Sequence, residues 1–300
     1  MKVGIIGGAG TLGSNIAFYT ALKNLADEIV LVDIKENVAK AIAMDMGQAI
    51  SEINETEISS GSWDALRGCG IVVNTASMPE RSVKSRLEYL ENNLSIIKNV
   101  AEQIKKYCPK AIVINATNPI DIFNYILHKL TGMPAKQFIG FSGNDTIRLK
   151  WAVAKVKGVS TYDVDALVLG EHGDEQVPLF SNIKAKGMPV ELTPDEKAMA
   201  DEMIRNWFLS YQSLDSGRTT GFTSAIGVVR LIEAIVRNTG EILPGSAILT
   251  GQYGISDVSV GVPITLGPDG IEMINELQLA QEEIDALKAA SEKIRGLTLW

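Results

Sequence analysis

Cysteine and histidine are scarce in this chain of 300 residues, with two of each. Cys69 and Cys108 stand far apart, in no metal or redox spacing. That excludes a disulfide framework and a cysteine-ligated metal, and it suits two reduced thiols in a cytoplasmic protein. Two histidines are too few for a histidine-based metal cluster, so no metal is expected. Long hydrophobic runs are missing as well. No stretch approaches the ~18 apolar residues that read as a membrane span. The opening MKVGIIGGAG breaks into glycine without a cleavage-site pattern, so a signal peptide is not expected. Basic charge is also short. Against 36 acidic residues there are 28 lysines and arginines, a net charge of -8 with no basic run. Nucleic acid and anionic membranes both require a positive field, so neither is expected as a partner. No internal repeat or low-complexity segment is visible, which excludes a solenoid.

What is present is a hydrophobic fraction of 46%, enough for a substantial core in one large domain or two ordinary ones. Val3–Gly7, Glu28–Asp33, Gly70–Thr75 and Ala111–Asn115 are short, β-branched, apolar runs. Runs of this kind suit strands buried on both faces. Longer helical patterns lie between them, Leu87–Lys106 among them. Alternation of strand and helix predicts a parallel, doubly wound α/β sheet. The pattern changes after about Gly143. Asp145–Lys157 predicts a helix and Ala166–Gly170 a strand. Thr193-Pro194-Asp195-Glu196 predicts a helix start: a capping hydroxyl, a proline, then acids at the positive dipole end. Residues 247–278 predict a meander of short strands with turns at Gly261, Gly267 and Asp269-Gly270. Gln278–Arg295 predicts a closing amphipathic helix. We therefore expect two domains, residues 1–142 and an α+β part over 143–300.

Gly7-Gly8-Ala9-Gly10-Thr11-Leu12-Gly13 follows the first strand and opens a helix. Glycines here permit a tight turn, close approach of backbone to a pyrophosphate, and close helix–strand packing. Asp33 ends the second strand, about twenty residues on, where an acid accepts hydrogen bonds from both ribose hydroxyls. Its charge would repel the extra phosphate of NADP. The combination predicts a Rossmann-type domain and NAD as cofactor.

Of the two histidines, His128 lies on a predicted helix beside Lys129 and reads as structural. His172 lies in Gly170-Glu171-His172-Gly173-Asp174, just past a strand and between glycines. An imidazole titrates near neutrality, as proton transfer to or from a hydroxyl requires.

GEHGD resembles the catalytic histidine motif of the L-lactate and malate dehydrogenase family. Other segments resemble that family in the same order: Asn115-Ala116-Thr117-Asn118-Pro119-Ile120-Asp121, Asn144-Asp145-Thr146-Ile147-Arg148, Arg86-Leu87-Glu88 through Asn92-Asn93, and the closing GQYGISDVSVGVPITLGPDGI. The resemblance implies an NAD-dependent oxidoreductase of small 2-hydroxy and 2-keto acids. It implies His172 as general acid/base, with Asp145 holding its imidazole. Arg148 would fork onto the substrate carboxylate, and Arg86, on a closing loop, would polarise the carbonyl. Asn118 would bind substrate. Asn93, Ala116, Thr117 and Asn118 would line the nicotinamide side. Homodimers or homotetramers are implied too.

The family sorts substrates six positions before the loop arginine, where glutamine resembles lactate dehydrogenase and arginine malate dehydrogenase. Counting back from Arg86 gives Glu80, with Arg81 adjacent. A carboxylate there should repel a dicarboxylate, whereas a one-residue shift presents Arg81. On the opposite wall Thr220, or Thr223 with a gap, is placed near the substrate. The GGAG form of the glycine loop resembles lactate-like malate dehydrogenases, which favours malate/oxaloacetate. Lactate/pyruvate or another 2-hydroxy acid is the alternative. Two rivals stand further off. One is a short-chain-type sugar-nucleotide epimerase or reductase, using Tyr125 and Lys129. The other is a non-enzymatic NAD-binding protein.

Overall fold

The computed structural model describes residues 1–78, 86–216 and 220–298, with the side chains of residues 86–89 and 208 outside the description. The first half alternates strands β1 (Lys2–Ile6), β2 (Glu28–Val32), β3 (Glu57–Ser60), β4 (Ile71–Asn74), β5 (Ile112–Asn115) and β6 (Phe138–Gly140) with helices. These are α1 (Thr11–Leu22), α2 (Glu36–Ser51), α3 (Arg86–Tyr107) and α4 (Ile120–Thr131). The strands lie in the order 3-2-1-4-5-6, and every pairing among them is parallel. β4 and β5 are buried at every position because helices cover both faces of a parallel sheet, hence the Ile and Val that run up to Asn74 and Asn115. The order reverses between β1 and β4. At that switch point a crevice opens beyond the carboxyl ends of the strands.

The second half adds α5 (Gly143–Lys157), β7 (Val164–Asp165), β8 (Val168–Gly170), β9 (Gln176–Pro178), β10 (Lys184–Ala185), β11 (Met188–Pro189), α6 (Pro194–Ser213), α7 (Gly221–Arg237), β12 (Ile242–Thr250), β13 (Ser256–Gly267), β14 (Gly270–Ile274) and α8 (Gln281–Leu297). The large sheet continues past β6. β12 joins it antiparallel, pairing Ser246 with Gly140, and β13, β8 and β9 follow. A Cβ on Gly140 would lie 2.7 Å from that of Ser246, so this seam requires glycine. β7, β10 and β11 form a small separate sheet.

The predicted meander of short strands is instead a pair of long ones, of nine and twelve residues. The turn expected at Gly261 is absent, because Gly261 lies mid-strand opposite Gly170. A Cβ there would meet the Gly170 carbonyl at 2.7 Å. Close approach of two backbones, not a turn, accounts for that glycine. The turn between β13 and β14 is where the sequence places it, with Gly270 at φ +106°. α6 starts as predicted: the Glu196 N–H donates to Thr193 Oγ1 at 3.2 Å, and the Thr193 N–H donates to Glu196 Oε2 at 2.8 Å. α7 was not anticipated, although Ala225, Val228, Val229, Ile232 and Ile235 recur at helical spacing and are buried.

One core spans both faces of the large sheet, from Val3 to Ile294. A smaller one, around Leu149, Val153, Val164, Ile183 and Ile204, fixes α5 against α6. Among the described residues, no helix is long and apolar enough to cross a membrane.

Candidate active site

The crevice is lined first by the glycine turn. Gly7 takes φ +82°, and its N–H donates to the Val32 carbonyl at 2.9 Å, which turns the chain sharply off β1. A Cβ on Gly13 would sit 2.4 Å from the Gly7 carbonyl oxygen, so only glycine lets α1 start so close to the strand end. Among the described residues, no side chain caps α1. Its first turn, from Thr11 to Gly13, therefore borders the crevice with backbone N–H groups that have no partner within the helix, a ready anion site. Ala9 lines the crevice too, and its N–H donates to Asp33 Oδ2 at 3.0 Å. Asp33 Oδ1 accepts from the Lys35 N–H at 2.9 Å. A carboxylate has about four acceptor positions, which leaves capacity for two ribose hydroxyls. Ile34, 93% exposed, and Trp63 add apolar surface at the mouth. Bare cradle, uncapped helix end, acid and apolar mouth fit a dinucleotide. Gly8 serves packing instead: a Cβ there would lie 2.8 Å from the Leu31 Cβ.

The floor lies at the ends of β4 and β5. Asn74 Nδ2 donates to Asn115 Oδ1 at 2.9 Å and to Thr117 Oγ1 at 3.1 Å. Thr117 Oγ1 in turn donates to the Ala76 carbonyl at 3.0 Å. Ala116, Thr117 and Asn118 border the crevice. Asn93 does not, although it was expected on the nicotinamide side. It is fully buried behind the wall, where its Oδ1 accepts from the Met78 N–H at 2.8 Å.

His172 sits on the turn after β8, its side chain 14% exposed to the crevice. Its Nδ1 lies 2.6 Å from Asp145 Oδ2. A carboxylate at Nδ1 fixes a proton there and leaves Nε2 as the working nitrogen. Asp145 is in the first turn of α5, and Arg148 follows one turn later on the same face. Arg148 donates from Nη1 to Asp145 Oδ1 at 3.1 Å. The His172 backbone N–H donates to Asp121 Oδ2 on α4 at 2.8 Å. Burial works to push the His172 pKa down. The charge and hydrogen bond of Asp145, with the charge of Asp121, outweigh burial and the opposing Arg148, so the pKa is held above the ordinary histidine value. Burial pushes Asp121 up to about 6, against the hydroxyl of Ser246 and the N–H and charge of His172; Glu171 adds to the rise.

The far wall comes from α6 and α7. Thr220, not Thr223, borders the crevice, beside Ser224. Ser224 Oγ accepts from Asn144 Nδ2 at 2.8 Å and lies 3.4 Å from Thr220 Oγ1. The Arg148 guanidinium lies 5.2 Å from the Trp207 ring centroid, and Tyr211 stacks on Trp207 at 5.4 Å. Sequence reading missed Ser224, Trp207 and Tyr211. The only signal for the aromatic pair is its spacing of four on one helix. Glu80 and Arg81 lie outside the described residues, as does the side chain of Arg86, which opens α3.

Tyr125 and Lys129 both bond Asp257 Oδ1, at 2.7 and 2.8 Å, and neither borders the crevice. They are not a tyrosine–lysine catalytic pair. His128 contacts the Met133 carbonyl through Nδ1 at 2.9 Å, a structural role as expected.

The family description "lactate/malate dehydrogenase, NAD binding domain" matches residues 1–140, and the family's α/β C-terminal domain matches residues 144–296. The chain is 33% identical to a malate dehydrogenase of Halobacterium salinarum, over 98% of this chain and 97% of that one. It is 34% identical to an L-lactate dehydrogenase of Acetivibrio thermocellus, over 99% and 96%. The structure of the Cryptosporidium parvum lactate dehydrogenase with lactic acid and the nicotinamide cofactor superposes with a TM-score of 0.91. That pair shares 31% identity and covers 99% of this chain and 96% of the other. Likeness at this level runs through both halves, and the chain belongs to the lactate/malate dehydrogenase family of NAD-dependent oxidoreductases.

Proposed function

We propose that the chain interconverts malate and oxaloacetate, with His172 moving the proton. The observation that carries this reading is the chain of contacts from His172 Nδ1 to Asp145 to Arg148 beside the glycine turn. The glycine turn and Asp33 would hold NAD, which would supply the hydride acceptor for oxidation of the hydroxyl-bearing carbon and, reduced, the hydride donor for the reverse. His172 Nε2 takes the hydroxyl proton during oxidation and gives it back to the carbonyl oxygen during reduction. Asp145 holds the imidazole and balances its charge. Arg148, bonded to Asp145 at the crevice wall, forks onto a substrate carboxylate, a task suited to a planar guanidinium. Asn118 and Thr220 orient the substrate from opposite walls. Ala116 and Thr117 support the nicotinamide, with Asn93 acting through Met78. Arg86 polarises the carbonyl, and Arg81 in place of Glu80 meets the second carboxylate. Residues 1–142 form the cofactor half and 143–300 the substrate half.

Support for malate comes from relatives such as the Halobacterium salinarum enzyme and from the GGAG loop. Glu80 favours a second reading, a 2-keto acid without a second carboxylate, such as pyruvate. A panel of oxaloacetate, pyruvate and bulkier 2-keto acids with NADH decides between them. A strong oxaloacetate preference supports malate; a strong pyruvate preference removes it. We infer a cytoplasmic homodimer or homotetramer. Exposed Phe222 and Ile226, one turn apart on α7, support association, and sedimentation measures it.

A further inference from the structure

The Arg148 side chain is largely buried, and a buried cation is costly unless something balances it. Asp145 does so only in part. Its Oδ1 accepts from Arg148 Nη1 at 3.1 Å, while its Oδ2 lies 2.6 Å from His172 Nδ1, so one carboxylate serves two partners. The second support comes from another helix. The Arg148 guanidinium lies over the Trp207 ring on α6, 5.2 Å from its centroid. Tyr211, one turn further along α6, stacks on that ring with centroids 5.4 Å apart and planes 13° apart. Tyr211 borders the crevice and Trp207 does not. The small core that joins Leu149 to Ile204 holds α5 and α6 at this spacing.

An aromatic face attracts a guanidinium through its quadrupole. The N–H groups of a guanidinium lie in its plane, so the ring occupies none of them. A carboxylate at the same place would neutralise the charge and compete with substrate for those groups. We infer that Trp207, steadied by Tyr211, is a positioning residue for Arg148: it holds the guanidinium for capture of a carboxylate without neutralising it. Fixing a long side chain before substrate arrives removes an ordering cost from binding. The inference rests on Arg148 binding the substrate carboxylate.

Trp207→Leu keeps apolar bulk and removes the aromatic face. In reduction of oxaloacetate and of pyruvate with NADH, KM should rise about three- to thirtyfold, with kcat kept within severalfold and NADH affinity unchanged. KM unmoved overturns the inference and leaves the aromatic pair as packing. Trp207→Phe keeps a smaller face and should raise KM by less; a rise equal to that of Trp207→Leu overturns it too. If Trp207→Leu fails to fold, Trp207→Phe decides, by a KM raised severalfold or left unchanged. In this direction kcat/KM falls as pH rises and His172 loses its proton. That limb should stay in place, and a shifted limb would mean that the ring acts on Asp145 and His172 instead. Arg148→Leu separates the two readings. A KM that survives it refutes the carboxylate role of Arg148, whatever Trp207 does. With Arg148→Leu already present, Trp207→Leu should add nothing; an equal loss in both backgrounds overturns the inference.

Discussion

The two halves of the crevice are built from different materials. The cofactor side is backbone: a glycine turn, a bare helix end and one acid, all between Gly7 and Asp33. The proposed substrate side is side chains drawn from distant segments, with Asp145 and Arg148 on α5, His172 after β8, and Ser224 on α7. A backbone site depends on which residues are absent, above all Cβ atoms. A side-chain site depends on which charges stand beside which. Substitutions on the two sides should therefore fail in different ways.

The largest expected effect is on the substrate side. General acid–base catalysis contributes about 10²–10⁴-fold, so His172→Asn should cost about 10³-fold in kcat while NADH still binds. Stopped-flow turnover and NADH fluorescence check the two halves separately. Loss of NADH binding would erase the division. The same variant tests stability against pH. The folded His172 holds its proton above the unfolded value. Its contribution is thus complete below about 6.5 and is lost as pH rises through the higher folded value. Thermal melts across that window should fall with pH in the parent and flatten in His172→Asn.

On the cofactor side the strongest test is Gly13→Ala. The added Cβ would sit 2.4 Å from the Gly7 oxygen, a contact with backbone that cannot swing aside. Overpacking of this kind costs about 1–3 kcal/mol. NADH affinity should fall with it, because the turn and the helix end move apart. The pH limb of His172 should stay in place. A shifted limb would mean that the turn and the proton site are one unit. Asp33→Ser should do less. Removing the repelling charge should narrow NADH-over-NADPH preference by about tenfold, near 1.4 kcal/mol of charge–phosphate repulsion. Ratios of kcat/KM for the two cofactors measure it.

The same contrast explains what was legible in the sequence. The glycine turn, its strand and Asp33 lie close together, and each residue type has a reason that spacing alone reveals. The parallel sheet was legible for the same reason, since strands buried on both faces are apolar runs rich in Ile and Val. Gly261 was misread because glycine marks both turns and close backbone approach, and only the partner, Gly170, tells them apart. His172 was uncommitted until a family resemblance ordered the motifs around it. Its contact with Asp145 bridges 27 positions, and the one with Asp121 bridges 51. Trp207 and Ser224 carry no local signature, because their meaning lies in Arg148 and Asn144 on another helix.

The smallest expected effect sharpens the comparison from the side of pure stability. α6 carries Trp207 and Tyr211 near its C-terminal end, while its N-terminus is held by the Thr193–Glu196 box. Glu196 also accepts from Lys157 Nζ at 2.8 Å, which ties the helix start to the end of α5. Thr193→Ala removes the oxygen that accepts the Glu196 N–H and should cost about 1 kcal/mol, read as a lower melting temperature. The aromatic pair lies more than three turns away, about 20 Å along the helix, and Glu196 keeps its lysine. KM for the keto acid should therefore stay unchanged. A raised KM would mean that Arg148 is positioned by the stability of the whole helix, not by the ring laid against it. The substrate side would then resemble the cofactor side, a site held by backbone.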